Sequence, residues 1–263
     1  MIHPSCTDRS SLGARLFLAL ALVFGGVGCG LFDMTTDVGI SVFAAHHPRR
    51  GDDGKFPEYG FDNKPRTWTN DAGWEVNLTE SYIVITGASL VACDGTEYPL
   101  STPFGPLPEY LNWTDFDVTV LGSTEIPEGD YCDLRVDYGP YRAEAAAMAN
   151  EDPHVVPSGR DLEGITIFLA GRAIKDDMTV DFALISGESN SSVFELREGD
   201  GMPAPFTVVD EGGGLKATIG KTYDRFFDGI DFATYEADSE SINAGLMTIL
   251  VEETRAYRGT TIY

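Results

Sequence analysis

The chain has 263 residues, with 18 lysines and arginines against 42 aspartates and glutamates, and a formal net charge of −24. An ordinary apolar content of 43% is enough for a sizeable packed core and argues against disorder as the source of the acidity. No cluster of Lys and Arg is present to neutralise phosphates, which excludes a nucleic-acid partner; the acidity suits solubility, a saline habitat or cationic ligands, in that order.

At the start of the chain, Arg9 and Arg15 stand against Asp8, residues 16–24 form an apolar run, and Gly25, Gly26, Val27 and Gly28 precede Cys29. This is the three-part pattern of a secretory signal. The run is too short to span a hydrocarbon core of about 30 Å. The ending Gly26-Val27-Gly28-Cys29 resembles the lipobox of bacterial lipoproteins, with Gly26 standing where that family usually has Leu. The resemblance implies a signal peptide over 1–28, acylation of Cys29 and a lipidated tether over 29–37. It also implies a cell-envelope protein whose N-terminal lipid holds it to a membrane, periplasmic or surface-facing. Gly30 after the cysteine favours the outer membrane. The alternative is an ordinary cleaved signal that leaves a free periplasmic or secreted protein. Removal of 1–28 takes away Arg9, Arg15 and Asp8, so the net charge of −24 becomes −25.

Of the four cysteines, Cys6 leaves with the signal and Cys29 is assigned to lipid, so Cys93 and Cys132 remain as a pair. In an oxidising compartment such a pair reads as one disulfide. Two free thiols serving as metal ligands are the alternative, which no CxxC spacing or adjacent His supports.

Residues 38–263 read as a β-rich domain with a candidate internal boundary near 143–160. A first strand is expected at 38–44, where Val38, Ile40 and Val42 alternate with Gly39, Ser41 and Phe43. The polar stretch 46–70, rich in Pro, Gly and Asp, reads as a long loop and a candidate functional one. The densest strand signal covers 74–93, with a bulge expected at Gly87. Another strand is expected at 116–121. The turn 126–129 then leads into 131–138, where Cys132, Leu134, Val136 and Tyr138 alternate with Asp133, Arg135 and Asp137. That split predicts a core-facing Cys132 and a buried disulfide.

Residues 142–150 read as a short helix or linker, and strands resume at 165–169, 179–184, 193–196, 206–209 and 215–219. Roughly ten strands at regular turn spacing predict an all-β fold, an antiparallel β-sandwich of immunoglobulin-like or related type. The strongest helix signal is late, with Asp238 or Ser239 as N-cap and Ile242, Leu246, Ile249 and Leu250 on one face. It predicts a C-terminal amphipathic helix against a sheet edge or end.

The candidate metal ligands are His46 and His47, with Asp52 and Asp53 close by. Neighbouring side chains on a strand point apart, so the two histidines share an ion only at a turn. The competing reading makes them solvated loop residues. Asp224, Asp228 and Asp231 have near-helical spacing, but the DxDxDG-like loop of a calcium site is absent, which leaves capping and solvated turns as the default. Trp68 and Trp113, both in loop-like contexts, are the candidate ligand contacts, against the commoner fate of core packing. GxxxxGK[ST], GxSxG and HExxH are all missing, and nothing selects a glycosidase carboxylate pair among the acids.

Three scattered stretches, Trp74-Glu75-Val76-Asn77-Leu78, Ile126-Pro127-Glu128-Gly129-Asp130-Tyr131 and Phe226-Phe227-Asp228-Gly229-Ile230, are similar to MbnP-like periplasmic proteins. That resemblance implies a β-sandwich and a link to copper and methanobactin handling; its motifs are turns and strand starts and match no ligand residue. The expected function is a non-enzymatic, lipid-anchored envelope protein that binds a small molecule, glycan or protein through loops of a β-sandwich. The alternative is a lipoprotein that binds or delivers copper or zinc, and a carboxylate-pair hydrolase ranks third. No catalytic residue is assigned, and no cofactor is expected apart from a transition metal in the alternative.

Overall fold

The first described strand, β1 (Val38–His47), buries Ile40, Val42 and Ala44 on one face and then, over its last four residues, both faces. It belongs to a computed structural model that describes residues 38–47, 66–100, 107–110, 118–149, 159–198, 201–209 and 214–259. The expected signal and tether over 1–37, with Cys29, and also Asp52, Asp53 and Trp113, lie outside the described residues.

After β1 come β2 (Arg66–Thr69), β3 (Glu75–Ala92), β4 (Glu97–Pro99), β5 (Leu107–Tyr110), β6 (Val118–Ile126) and β7 (Gly129–Tyr138). A short helix, α1 (Ala143–Ala149), leads to β8 (Ile167–Lys175), β9 (Met178–Ser186), β10 (Asn190–Arg197), β11 (Phe206–Val208) and β12 (Leu215–Thr222). Two 3-10 turns, Tyr223–Phe227 and Phe232–Thr234, precede α2 (Tyr235–Glu252), and β13 (Thr254–Arg258) closes the order. Among the described residues, no helix is long and apolar enough to cross a membrane.

The chain is mostly β, as expected, but its sheet is mixed. The order is β6-β1-β12-β13-β10-β7-β3-β8-β9, with β2, β4 and β5 added to β3 and β11 to β7. Two of its pairs, β1–β12 and β10–β13, are parallel. This corrects the expectation that all strands pair antiparallel. Period-2 alternation specifies a strand and its buried face, whereas the direction of the neighbour is settled by long-range crossovers that leave no local mark. Strands on either side of 143–160 pair directly, β1 with β12 and β7 with β10.

The 18-residue β3 pairs with five other strands. It serves two cores. Val76, Leu78, Ile83 and Ile85 face the main one, while Tyr82 and Val84 face a second, with Tyr141, Ala146, Leu162 and Phe168. This explains why residues 81–85 are buried without a break. The outer core is held by α1, whose first N–H, at Ala143, donates to Glu163 at 2.9 Å, and by Arg160, which grips Glu80 at 2.7 and 2.6 Å and lies 4.1 Å over the Phe168 ring.

The bulge expected at Gly87 is present, between Ile85 and Gly87 on the β3–β7 ladder, where a β-carbon would come 2.9 Å from Asp137 Oδ2. Cys93 and Cys132 form the expected disulfide, with Cα atoms 4.9 Å apart. Its burial differs from expectation. A second register shift, at Val91/Ala92, puts both Tyr131 and Leu134 on the core side, so Cys132 and Asp133 between them are only half-buried.

The late helix is also present but begins at Tyr235, three residues before the expected cap at Asp238. Its buried residues are Leu246, Met247 and Leu250, with Ile242 and Ile249 half-buried beside them, and it packs along β9.

Candidate functional site

The most unusual chemistry in the described fold sits where β1 and β12 finish side by side. Their parallel register sets His46 beside Lys221 and His47 beside Thr222. On the far side of β12, Lys221 pairs with Thr254 of β13. Residues in register share a face, and those two positions back, Ala44, Ile219 and Ala256, belong to the main core. His46, Lys221 and Thr254 therefore continue the core face, and all three are buried: 2%, 0% and 0% exposed.

Thr254 extends the polar row. Its hydroxyl donates to the Leu250 carbonyl at 2.6 Å, which uses its single hydrogen. The Tyr138 hydroxyl, 3.1 Å away, is therefore the donor to Thr254 Oγ1. An imidazole, an amine and two hydroxyls thus line up inside an otherwise apolar sheet. Polar side chains buried in a row are set apart from the apolar core around them, because each must be matched by a hydrogen-bonding partner.

His47 takes the opposite face. A β-carbon on Gly220 would stand 3.1 Å from His47 Nε2 and 2.9 Å from Tyr257 Cε2, so glycine leaves the room that both rings use. The two imidazoles leave β1 on opposite sides, and one ion could take both only if the end of the strand unwound. The solvated-loop reading of His46 and His47 is corrected: they are the last two residues of β1, and both are buried. Their burial follows from β12, which carries the ladder past the point where the polar stretch was expected to begin.

The 3-10 turn Tyr223–Phe227 follows directly and brings two more buried groups, Tyr223 and Asp224. Trp68 on β2 packs its ring against Tyr223 at 5.3 Å and Phe227 at 5.2 Å. It is half-buried on a strand, not in a loop, and its indole N–H finds no acceptor among the described residues. Phe227 continues the stack to Phe182, Phe232 and Trp74 through centroid distances of 5.4, 5.0 and 5.7 Å. Each such pair contributes about 0.5–1.5 kcal/mol beyond its burial.

The three aspartates of this region do separate jobs. Asp224 is buried on the turn, Asp228 pairs with Arg225 at 2.9 Å, and Asp231 accepts from the Trp74 indole at 3.0 Å and the Ala233 N–H at 3.1 Å. Among the described residues, no three His, Cys, Asp or Glu side chains gather as a metal site. The turn just before the Trp74–Leu78 stretch clasps the Phe226–Ile230 stretch. Asn70 Nδ2 donates to the Phe227 and Ile230 carbonyls at 3.0 and 2.9 Å, and Asp71 accepts the Gly229 N–H at 2.7 Å.

No family model matches the chain, and no curated protein matches it. It is similar to MbnP from Methylosinus trichosporium. That likeness has a TM-score of 0.42 and 12% identity, covering 75% of this chain and 80% of that chain, and no residue role is carried across.

Lys221 was not singled out from the sequence. The signal was there: Ala217, Ile219 and Lys221 share one phase of the alternation, which puts the lysine on the core side once the strand is extended past Ile219.

Proposed function

We propose that the protein is a non-enzymatic binding protein of the bacterial cell envelope, held to the outer membrane by lipid on Cys29, with its ligand site at the end of the sheet where β1 and β12 finish. The observation that carries this reading is the polar row His46–Lys221–Thr254–Tyr138 inside an apolar core. A buried polar row on an otherwise apolar face offers donors and acceptors to a ligand at the strand ends. The absence of nucleophile and metalloprotease motifs supports binding over turnover. Turnover of glycosides, esters or peptides by the purified soluble domain would overturn the reading. Mass spectrometry of the mature N-terminus tests the lipid: a free Cys29 thiol or cleavage elsewhere removes that part.

A second reading, a transition-metal protein for copper or zinc, is favoured by the burial of both His46 and His47 at the end of β1. A neutral imidazole in a partly dry site is a good ligand for either metal. Their opposite directions make His46 and His47 candidates for different roles. Copper and zinc titrations of His46→Ala, His47→Ala and the double variant decide it: an affinity unchanged in all three ends the metal reading.

A further inference from the structure

The sheet ends on β9, and along its outer backbone lies α2 in place of another strand. The Tyr235 hydroxyl donates to the Ala183 carbonyl at 2.7 Å and accepts from the Ala183 N–H at 3.0 Å. Eight residues further along the helix, Asn243 Oδ1 accepts the Ile185 N–H at 3.0 Å. Residues two apart present their backbone groups to the same edge. These are three of the four bonds a neighbouring strand would make to Ala183 and Ile185.

Packing alone would hold the guarding part of the helix weakly. The buried residues of α2, Leu246, Met247 and Leu250, all lie in its C-terminal half. In the stretch between the two capping side chains, Glu236, Ala237, Asp238, Glu240 and Ser241 are exposed. The Tyr235 ring is seated on Phe182 and Phe232, at 6.5 and 6.1 Å, which aims its hydroxyl at the strand. The strand underneath is well suited to self-pairing. Met178 and Ile185 are 45% and 40% exposed, and an antiparallel pair of two β9 strands centred on Ala183 sets Asp181 opposite Ile185 with no like charges facing.

We infer that α2 is an edge guard: Tyr235 and Asn243 stand in for a strand and keep β9 from pairing, two-fold and antiparallel, with β9 of a second copy. The partner excluded is this chain itself, because the register that presents Ala183 and Ile185 is self-complementary.

The test is Tyr235→Phe with Asn243→Ala in the full mature chain, which removes all three bonds and keeps the ring on Phe182 and Phe232. Amide hydrogen exchange at Ala183 and Ile185 is expected to rise at least about tenfold in dilute solution. At higher concentration the light-scattering mass is expected to move toward twice that of the unaltered protein. Adding Ile185→Lys, which puts a charge on the edge, is expected to return the mass to the unaltered value while the dilute-solution exchange stays fast. Unchanged exchange overturns the inference, and so does faster exchange with no change in mass. If the double variant fails to fold, the single variants decide: each is expected to expose only its own amide, and protection equal to the unaltered protein in both overturns it.

Discussion

Trp74 and Asp231 stand 157 residues apart in the chain, and the indole N–H of one donates to the carboxylate of the other at 3.0 Å. Trp74 is fully buried, so its N–H needs an acceptor, and Asp231 also caps the turn at Ala233. Asp231→Ala is expected to cost about 2–3 kcal/mol, the sum of an orphaned donor and a lost cap. Asp231→Asn keeps an acceptor and is expected to cost less than about 1 kcal/mol. Urea midpoints of the two variants check the difference; equal losses would show that charge, and not the bond, is what matters.

The Cys93–Cys132 bridge spans a sequence separation of 39. Closing a loop of that size removes unfolded-state freedom, a stabilisation of about 2–4 kcal/mol. Replacing both cysteines by Ser is expected to lower stability by that amount. A denaturant titration of the unaltered protein with and without reductant is the companion measurement, and the two losses should agree.

Asp133 faces Glu195 across the β7–β10 pair, and burial first, then the Glu195 charge, push its carboxyl above the ordinary aspartate value of 3.8. A carboxyl that holds its proton more tightly when folded adds stability below the unfolded value and loses that contribution as pH rises through the folded one. Ionised Asp133 therefore works against the fold at neutral pH. Asp133→Asn is expected to raise the thermal midpoint there, and the gain should shrink toward about pH 4 and vanish below it. A gain of the same size at neutral pH and at about pH 3 would contradict this.

Gly220 lies against His47 and Tyr257, on the face of the sheet away from His46. A β-carbon there meets Tyr257 and His47 at 2.9 and 3.1 Å, so Gly220→Ala is expected to displace those rings at about 1–3 kcal/mol. His46, on the other face, should keep its imidazole NMR shifts while those of His47 move. Equal movement of both would mean that the strand end, and not the ring contact, has shifted.

Much of the fold was legible as pattern. The alternation around Val76, Leu134 and Val42 marks real strands with the expected buried faces, and Gly87 is a real bulge. Cysteine parity found the disulfide, but the bulge beside Cys132 broke the phase that was used to bury it. The direction of β12 relative to β1 was invisible, because nothing near Val42 encodes a partner at Ala217. The strand β13, five residues directly after a helix, is too short to show a period. At the candidate site, His46 and His47 stood out by type, while Lys221 was hidden by ending its strand two residues early.

The parallel pairing of β1 with β12 has a consequence in time. Synthesis delivers a chain from its N-terminal side, and Ile40 must wait for Leu215 before its ladder on that side can form. Such distant closures fold slowly. β1 can meet β6 earlier, but its β12 side stays open until then, so the newly delivered chain passes through a state in which His46 and Lys221 have yet to meet.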